Sequence, residues 1–185
     1  MSLVFITGNQ NKADFLAKWL GHPVEHHKLD LDELQSLDLH EVVEHKARQA
    51  YEILKQPVLV EDASLTFPAM GRLPGTFIKW FIEELGYDGL LKLAHSLPSP
   101  EAVGRVCYAV CDGKQVHIFD GEMRGKIAPE ARGSGGFGFD PIYINDGYEI
   151  TRAEMSEADY AKTSYRTPAM EKLKKYLQDQ PGDGV

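Results

Sequence analysis

Leu3-Val4-Phe5-Ile6-Thr7-Gly8-Asn9-Gln10-Asn11-Lys12 decides the fold. Its first four residues are an apolar run of strand formers. After Thr7-Gly8-Asn9 the pattern turns helical, with Ala13, Leu16, Leu20 and the adjacent Trp19 on one face and Gly21 placed to stop the helix. A strand, a tight turn and a helix are how an α/β chain begins.

Outward from that opening, residues 22–38 are mixed and acidic, with a second strand expected around 24–29 and then a loop carrying Asp30, Asp32 and Glu33. Val43, Ala47, Ala50 and Leu54 recur at helical spacing, which predicts a helix ended by Pro57. Val58-Leu59-Val60 reads as a buried strand ending at Glu61-Asp62. Residues 64–76, rich in Gly and Pro, read as a shaped loop, followed by helical stretches at 77–85 and 88–97 with Gly86 between them. Strands at 103–111 and 115–120 form a hairpin across Asp112-Gly113-Lys114, and a third at 123–127 extends it into a meander. Thr167 caps and Pro168 opens a last helix with Met170, Leu173 and Leu177 inward, and 178–185 is expected to fray.

The chain has 185 residues, which at about 150 residues per domain makes one domain, or one compact body with two lobes. No internal repeat or linker divides residues 1–185. Hydrophobic residues at 43% and charged residues at 26% exclude a disordered or fibrous chain. No apolar run reaches the roughly 18 residues of a membrane span. Met1-Ser2-Leu3-Val4-Phe5-Ile6 lacks the basic flank and length of a signal peptide, so a soluble cytoplasmic protein is expected. A formal charge of −8 argues against nucleic-acid polymers as partners but leaves room for a small phosphorylated ligand met by a local lysine cluster or a divalent cation. Cys107 and Cys111 fall on one face of a strand and read as buried, reduced thiols.

Thr7-Gly8-Asn9-Gln10-Asn11-Lys12 brings backbone N–H groups, a helix dipole, an amide and an ammonium toward one point. It reads as a phosphate cradle or as a simple capped turn, since it lacks the Gly-Lys-[Ser/Thr] spacing of a P-loop. Glu61 and Asp62, leaving an apolar strand, either meet a divalent metal with Glu33 supplying a further oxygen, or face solvent and cap the next loop. Mg²⁺ suits one or two carboxylates completed by substrate phosphates. Lys79, among aromatics in Ile78-Lys79-Trp80-Phe81, either snorkels or is held for an anion, and Lys46 reads as a solvated helix face. Phe137-Gly138-Phe139-Asp140-Pro141 is either a site that stacks a flat base and reads its edge or a packing corner. Ser164-Tyr165-Arg166 adds a hydroxyl, a phenol and a guanidinium suited to keto oxygens or phosphate. The seven His residues show no metal-ligand spacing, and neither a Gly-x-Ser-x-Gly elbow nor a Cys/His nucleophile pair is present.

Taken in order, Thr7-Gly8-Asn9-x-x-Lys12, Val58 to Leu65, Leu73-Pro74-Gly75 with Ile78-Lys79-Trp80-Phe81, Phe137 to Pro141, Ala153-Glu154-Met155 and Ser164-x-Arg166 resemble the inosine/xanthosine triphosphate pyrophosphatase family across nearly the whole chain. The resemblance implies an elongated, two-lobed α/β body around a long twisted mixed sheet, an active-site cleft between the lobes, and a homodimer. It implies that Thr7, Asn9 and Lys12 hold the triphosphate, that Lys46 and Lys79 add positive charge, and that Glu33 with Asp62 serves Mg²⁺ and the attacking water; the residue reading adds Gly8 to the phosphate turn and Glu61 to the metal candidates. Phe137, Phe139, Asp140, Ser164 and Arg166 would form the base pocket, with Gly138, Lys162 and Tyr165 as further candidates for substrate contact from the residues themselves.

Two departures fall on the base side. The family's Ser-His-Arg is Ser164-Tyr165-Arg166 here, and its upstream Lys-Asn pair is replaced by Tyr160-Ala161, with Lys162 as a candidate substitute. The expected activity is Mg²⁺-dependent hydrolysis of ITP, dITP and XTP to monophosphate and pyrophosphate by water attack on the α-phosphorus, with Asp62, Lys12 and Lys79 as the catalytic groups. A pyrophosphatase with a shifted base preference and a nucleotide-binding module without turnover stand beside it.

Overall fold

The computed structural model describes residues 3–21 and 24–179. Among these the elements run β1 (Val4–Ile6), α1 (Gln10–Leu20), β2 (His26–His27), α2 (Leu39–Leu54), β3 (Val58–Thr66), β4 (Pro74–Gly75), α3 (Ile78–His95), β5 (Glu101–Cys111), β6 (Val116–Ile127), β7 (Tyr143–Asn145), α4 (Glu157–Lys162) and α5 (Arg166–Asp179). The fold is α/β. Its seven-stranded sheet is ordered β2-β1-β3-β5-β6-β7, with β4 paired to β3. It is mixed, because β1 runs parallel to β2 and β3 whereas β4 and β7 pair antiparallel to β3 and β6. No helix among the described residues is long and apolar enough to cross a membrane.

Among the described residues the chain divides into two compact units, 3–21, 24–62, 107–120 and 168–179 in the first and 63–106 and 121–167 in the second. In the first unit, alternation along the strands puts Val4, Ile6, Val58, Val60, Cys107, Ala109 and Cys111 on one face. There they pack against Leu39, Val43, Ala47 and Ala50 of α2. Phe5 and Leu59, equally buried, alternate to the other face. α1 begins where the Asn9 side chain accepts the Asn11 N–H and ends where Gly21 takes a left-handed conformation at φ 80°. Both cysteines are buried and free.

In the second unit α3 buries Ile78, Leu90, Leu91 and Ala94 and is interrupted at Gly86, so the two expected helical stretches are one element with a kink. Tyr143 is fully buried, and its hydroxyl donates toward the carbonyls of Ala102 at 3.3 Å and Met123 at 3.2 Å.

Four expectations are corrected. The second strand shrinks to His26–His27. β3 does not stop at Glu61-Asp62 but continues to Thr66, because buried Ser64 and Leu65 extend its core-facing pattern and β4 pairs with its end. The last two strands of the meander are a single β6, which passes through Gly121 without a break. The last helix starts at Arg166, before Thr167 and Pro168, and runs through Asp179. Residues 1, 2, 22, 23 and 180–185 lie outside the described residues, and with the last of these most of the tail expected to fray. The two-turn α4, capped by the Ser156 hydroxyl, has no counterpart in the sequence reading because it buries no apolar stripe.

Leu16 is 1% exposed and Ile53 on α2 is 52% exposed. Leu16→Ala is expected to lower unfolding free energy by about 2–5 kcal/mol, and Ile53→Ala by less than about 0.5 kcal/mol, as read from denaturant midpoints.

Candidate active site

The junction between β1 and α1 is tightly built. Thr7 Oγ1 accepts the Asn9 N–H at 3.0 Å, and Asn9 Oδ1 accepts the Asn11 N–H at 3.0 Å. Thr7 and Asn9 thus order the turn in the free chain. A Cβ on Gly8 would stand 3.2 Å from the Lys28 side chain. The stem of a lysine absent from the sequence reading therefore lies over this glycine.

From α1, Lys12 Nζ reaches Glu61 Oε1 at 3.3 Å, where the carboxylate is only 2% exposed. From α2, the Lys46 ammonium pairs with Asp62 Oδ2, both side chains about one-fifth exposed. Lys46 is thus no solvated-face residue. Breaking a pair around a carboxylate as buried as Glu61 costs about 3–5 kcal/mol, so Lys12 supports the free protein as well as facing the junction.

Because successive strand residues point to opposite faces, Glu61 goes to the α1 side and Asp62 to the α2 side. The strand thus gives each of the two expected metal-side carboxylates a different lysine. The acidic segment joins the Asp62 side. Gln49, one turn along α2 from Lys46, accepts the Asp32 N–H and donates to Asp32 Oδ2, each at 2.9 Å. Glu33 follows Asp32 directly and is exposed. Among the described residues no group of three or more His, Cys, Asp or Glu is arranged to hold a metal by itself. Asp62 and Glu33 offer carboxylate oxygens, the donor type that hard divalent cations take.

Lys79 stands exposed in the first turn of α3, in the second unit, with its Nζ 5.0 Å from the Trp80 ring centre. It belongs to a different unit from Lys12, Lys46 and Asp62.

The second unit gathers the remaining sequence candidates around Asp140, which is 3% exposed. Asp140 Oδ2 accepts the Phe137 N–H at 2.8 Å and the Tyr160 hydroxyl at 2.9 Å, while Oδ1 accepts Arg152 Nε at 2.9 Å. Gly136 has φ +70°, and a Cβ there would stand 2.2 Å from Asp140 Oδ2, so the carboxylate fills the space a side chain would take. The Arg166 guanidinium lies 4.5 Å from the Phe137 ring and 4.7 Å from the Tyr165 ring. Ser164 Oγ accepts the Arg166 N–H at 3.2 Å. Phe139 is buried against Tyr143 and Tyr165 and serves the core, whereas Phe137 is only half-buried. Gly138 and Lys162 are exposed.

Burial, followed by the charge of Asp140, holds the Tyr160 phenol above its ordinary pKa. The Tyr87 phenol is raised by the same two causes in the same order, and its hydroxyl donates to the Gly138 carbonyl at 2.6 Å. Both phenols therefore remain donors at neutral pH.

The Ham1 family model matches residues 3–176. This chain belongs to the Ham1 family. It is 40% identical to the inosine triphosphate pyrophosphatase of Yarrowia lipolytica, over 97% of each chain. It is 42% identical to the protein of that name in Fusarium vanettenii, over 95% of this chain and 96% of that one. The structure of the Staphylococcus aureus Ham1 protein superposes with a TM-score of 0.83 over 97% of this chain and 99% of that one, at 23% identity.

In this Ham1 chain the sequence reading missed Arg152, Asn145 and Tyr87, all tied to the Asp140 cluster or its loop. Arg152 stands next to the quoted Ala153-Glu154-Met155, yet nothing in the local pattern marks it as buried. One available signal is the loss of a lysine at residue 160, which raises the question of where its charge went.

Raised phenol pKa values bear on alkaline stability. The unfolded tyrosine ionises near the ordinary value of 10.0, and folded Tyr160 ionises above it. Above that pH the native state holds more protons, so this stability is full below about 10 and is lost as pH rises through the folded value. Tyr160→Phe is expected to shallow the alkaline fall in unfolding midpoint, read by fluorescence between about pH 8 and 11.

Proposed function

We propose that this chain hydrolyses deaminated purine nucleoside triphosphates, ITP, dITP and XTP, to the monophosphate and pyrophosphate with Mg²⁺. That it is a nucleoside-triphosphate pyrophosphatase follows from its family and from the shared name of its relatives. The observation that carries the chemistry is the first unit's arrangement: a Thr7–Lys12 strand-to-helix junction beside two carboxylates, each countered by its own lysine.

In this reading Thr7, Gly8, Asn9 and the first N–H groups of α1 hold the phosphates, as helix N-termini hold anions. Lys12 and Lys46 offset phosphate charge, and Lys79 adds a third ammonium. Mg²⁺ held by Asp62 and Glu33 would supply Lewis-acid polarisation of phosphate oxygens. Asp62 orients a water and takes its proton as the oxygen attacks the α-phosphorus. The bond to the bridging oxygen breaks, and pyrophosphate leaves with its charge compensated by the lysines. Glu61, buried and paired with Lys12, positions that lysine. The base is held by the Asp140 cluster, with Phe137 and Arg166 as its exposed face and anchor. The same reading takes residues 1–185 as one catalytic domain, working as a cytoplasmic homodimer. A sedimentation mass of one chain would remove the dimer.

Tyr160-Ala161 and Tyr165 favour one second reading, a shifted base preference with unchanged phosphate chemistry.

Pyrophosphate release from ITP, XTP, dITP, ATP, GTP and pyrimidine triphosphates tests both. Release confined to the first three supports the main reading, and another preferred base supports the second. Binding without release from any triphosphate leaves a nucleotide-binding module. Asp62→Asn is expected to lower kcat by about 100-fold or more with nucleotide binding retained, and EDTA to abolish release. Full activity in the variant would remove Asp62 from the mechanism.

A further inference from the structure

Arg152 is the largest fully buried side chain among the described residues. Its Nε meets Asp140 Oδ1 at 2.9 Å, and Nη1 meets Asn145 Oδ1 at 2.9 Å and Thr163 Oγ1 at 3.2 Å. Its Nη2 has no hydrogen-bond partner among the described residues. The guanidinium lies 4.1 Å from the centre of the Tyr160 ring, at the residue where the family places a lysine.

A guanidinium so firmly held by two of its nitrogens is pre-oriented, and a third left without an acceptor in a buried site is a donor in want of one. Tyr160, its cover, is half-buried and is carried on α4, which has no buried residue. The cover is therefore carried on an element that buries none of its residues, and a purine is a flat π surface of the kind Tyr160 presents to the guanidinium.

We infer that Arg152 is the group by which this chain distinguishes 6-keto from 6-amino purines, its Nη2 donating to the keto oxygen once Tyr160 yields. The inference rests on the substrate class proposed above and adds the residue that reads it. A 6-keto oxygen accepts this N–H, as the guanine O6 accepts from arginine, whereas a 6-amino group would set donor against donor. The positive charge absent at residue 160 is then supplied from residue 152. Asp140, Asn145 and Thr163 aim the guanidinium and act as positioning residues.

The test is the ratio of kcat/KM for ITP over ATP in wild type, Arg152→Met, and Arg152→Met with Tyr160→Lys. Loss of the buried donor is expected to cut the ratio by about tenfold or more, chiefly through KM for ITP. The second change, which moves a cation to residue 160, is expected to restore most of it. A purely structural arginine would lower stability and leave the ratio in place, so an unchanged ratio in folded Arg152→Met overturns the inference.

Should that variant not fold, side-chain NMR of the wild type decides. The Arg152 guanidinium N–H resonances should shift with IMP and not with AMP, and equal or absent shifts overturn the inference. Wild type that releases pyrophosphate from no triphosphate defeats the proposed function instead, and the IMP/AMP comparison still reads Arg152 alone.

Discussion

Two adjacent carboxylates in the middle of β3 point to opposite faces, and each meets an ammonium on its own side, Glu61 with Lys12 and Asp62 with Lys46. Much of the first unit follows from that constraint. α1 has to present Lys12 to one face, so its start is set by the Thr7 and Asn9 turn bonds. α2 has to present Lys46 to the other while it packs Val43, Ala47 and Ala50 on Val58 and Val60. The lysines that would meet phosphate thus already answer charge in the free protein, and they stand beside the carboxylate suited to a hard cation.

The second unit solves a similar problem with the signs reversed. Its buried charges are Asp140, Arg152 and Arg166. One carboxylate accepts three donors from Phe137, Arg152 and Tyr160, and rings lie against both guanidinium groups. Planar arginine suits such a site because its donors and its flat faces are used together. The cluster explains how the chain accommodates a tyrosine at residue 160: its ring stacks on Arg152 and its hydroxyl donates to Asp140.

Local signals were strong where they were covalent or short in range. The β1-α1 turn, Gly21 as a stop, the α2 stripe and the turn at Asp112-Gly113-Lys114 were all legible in the chain. Boundaries failed where pairing overrode composition. β3 continues past its acidic pair because β4 pairs with its far end, and β6, which lies between β5 and β7 in the sheet, runs through Gly121 unbroken. Phe139 illustrates the same limit at the site: as a sequence motif it is one of two rings able to stack a base, but packing against Tyr143 and Tyr165 commits it to the core.

From the sequence come the α/β class, the family, the residue types of a phosphate junction and an acidic pair, and the two departures on the base side. These are properties of order and short spacing, which the chain carries without folding. Which lysine meets which carboxylate, the separation of Glu61 from Asp62, and the assembly of Asp140, Asn145, Arg152 and Tyr160 belong to the folded molecule. Such contacts join different elements through side-chain direction and burial. A guanidinium is an ordinary surface group until long-range packing takes it out of water and leaves one of its donors without an acceptor.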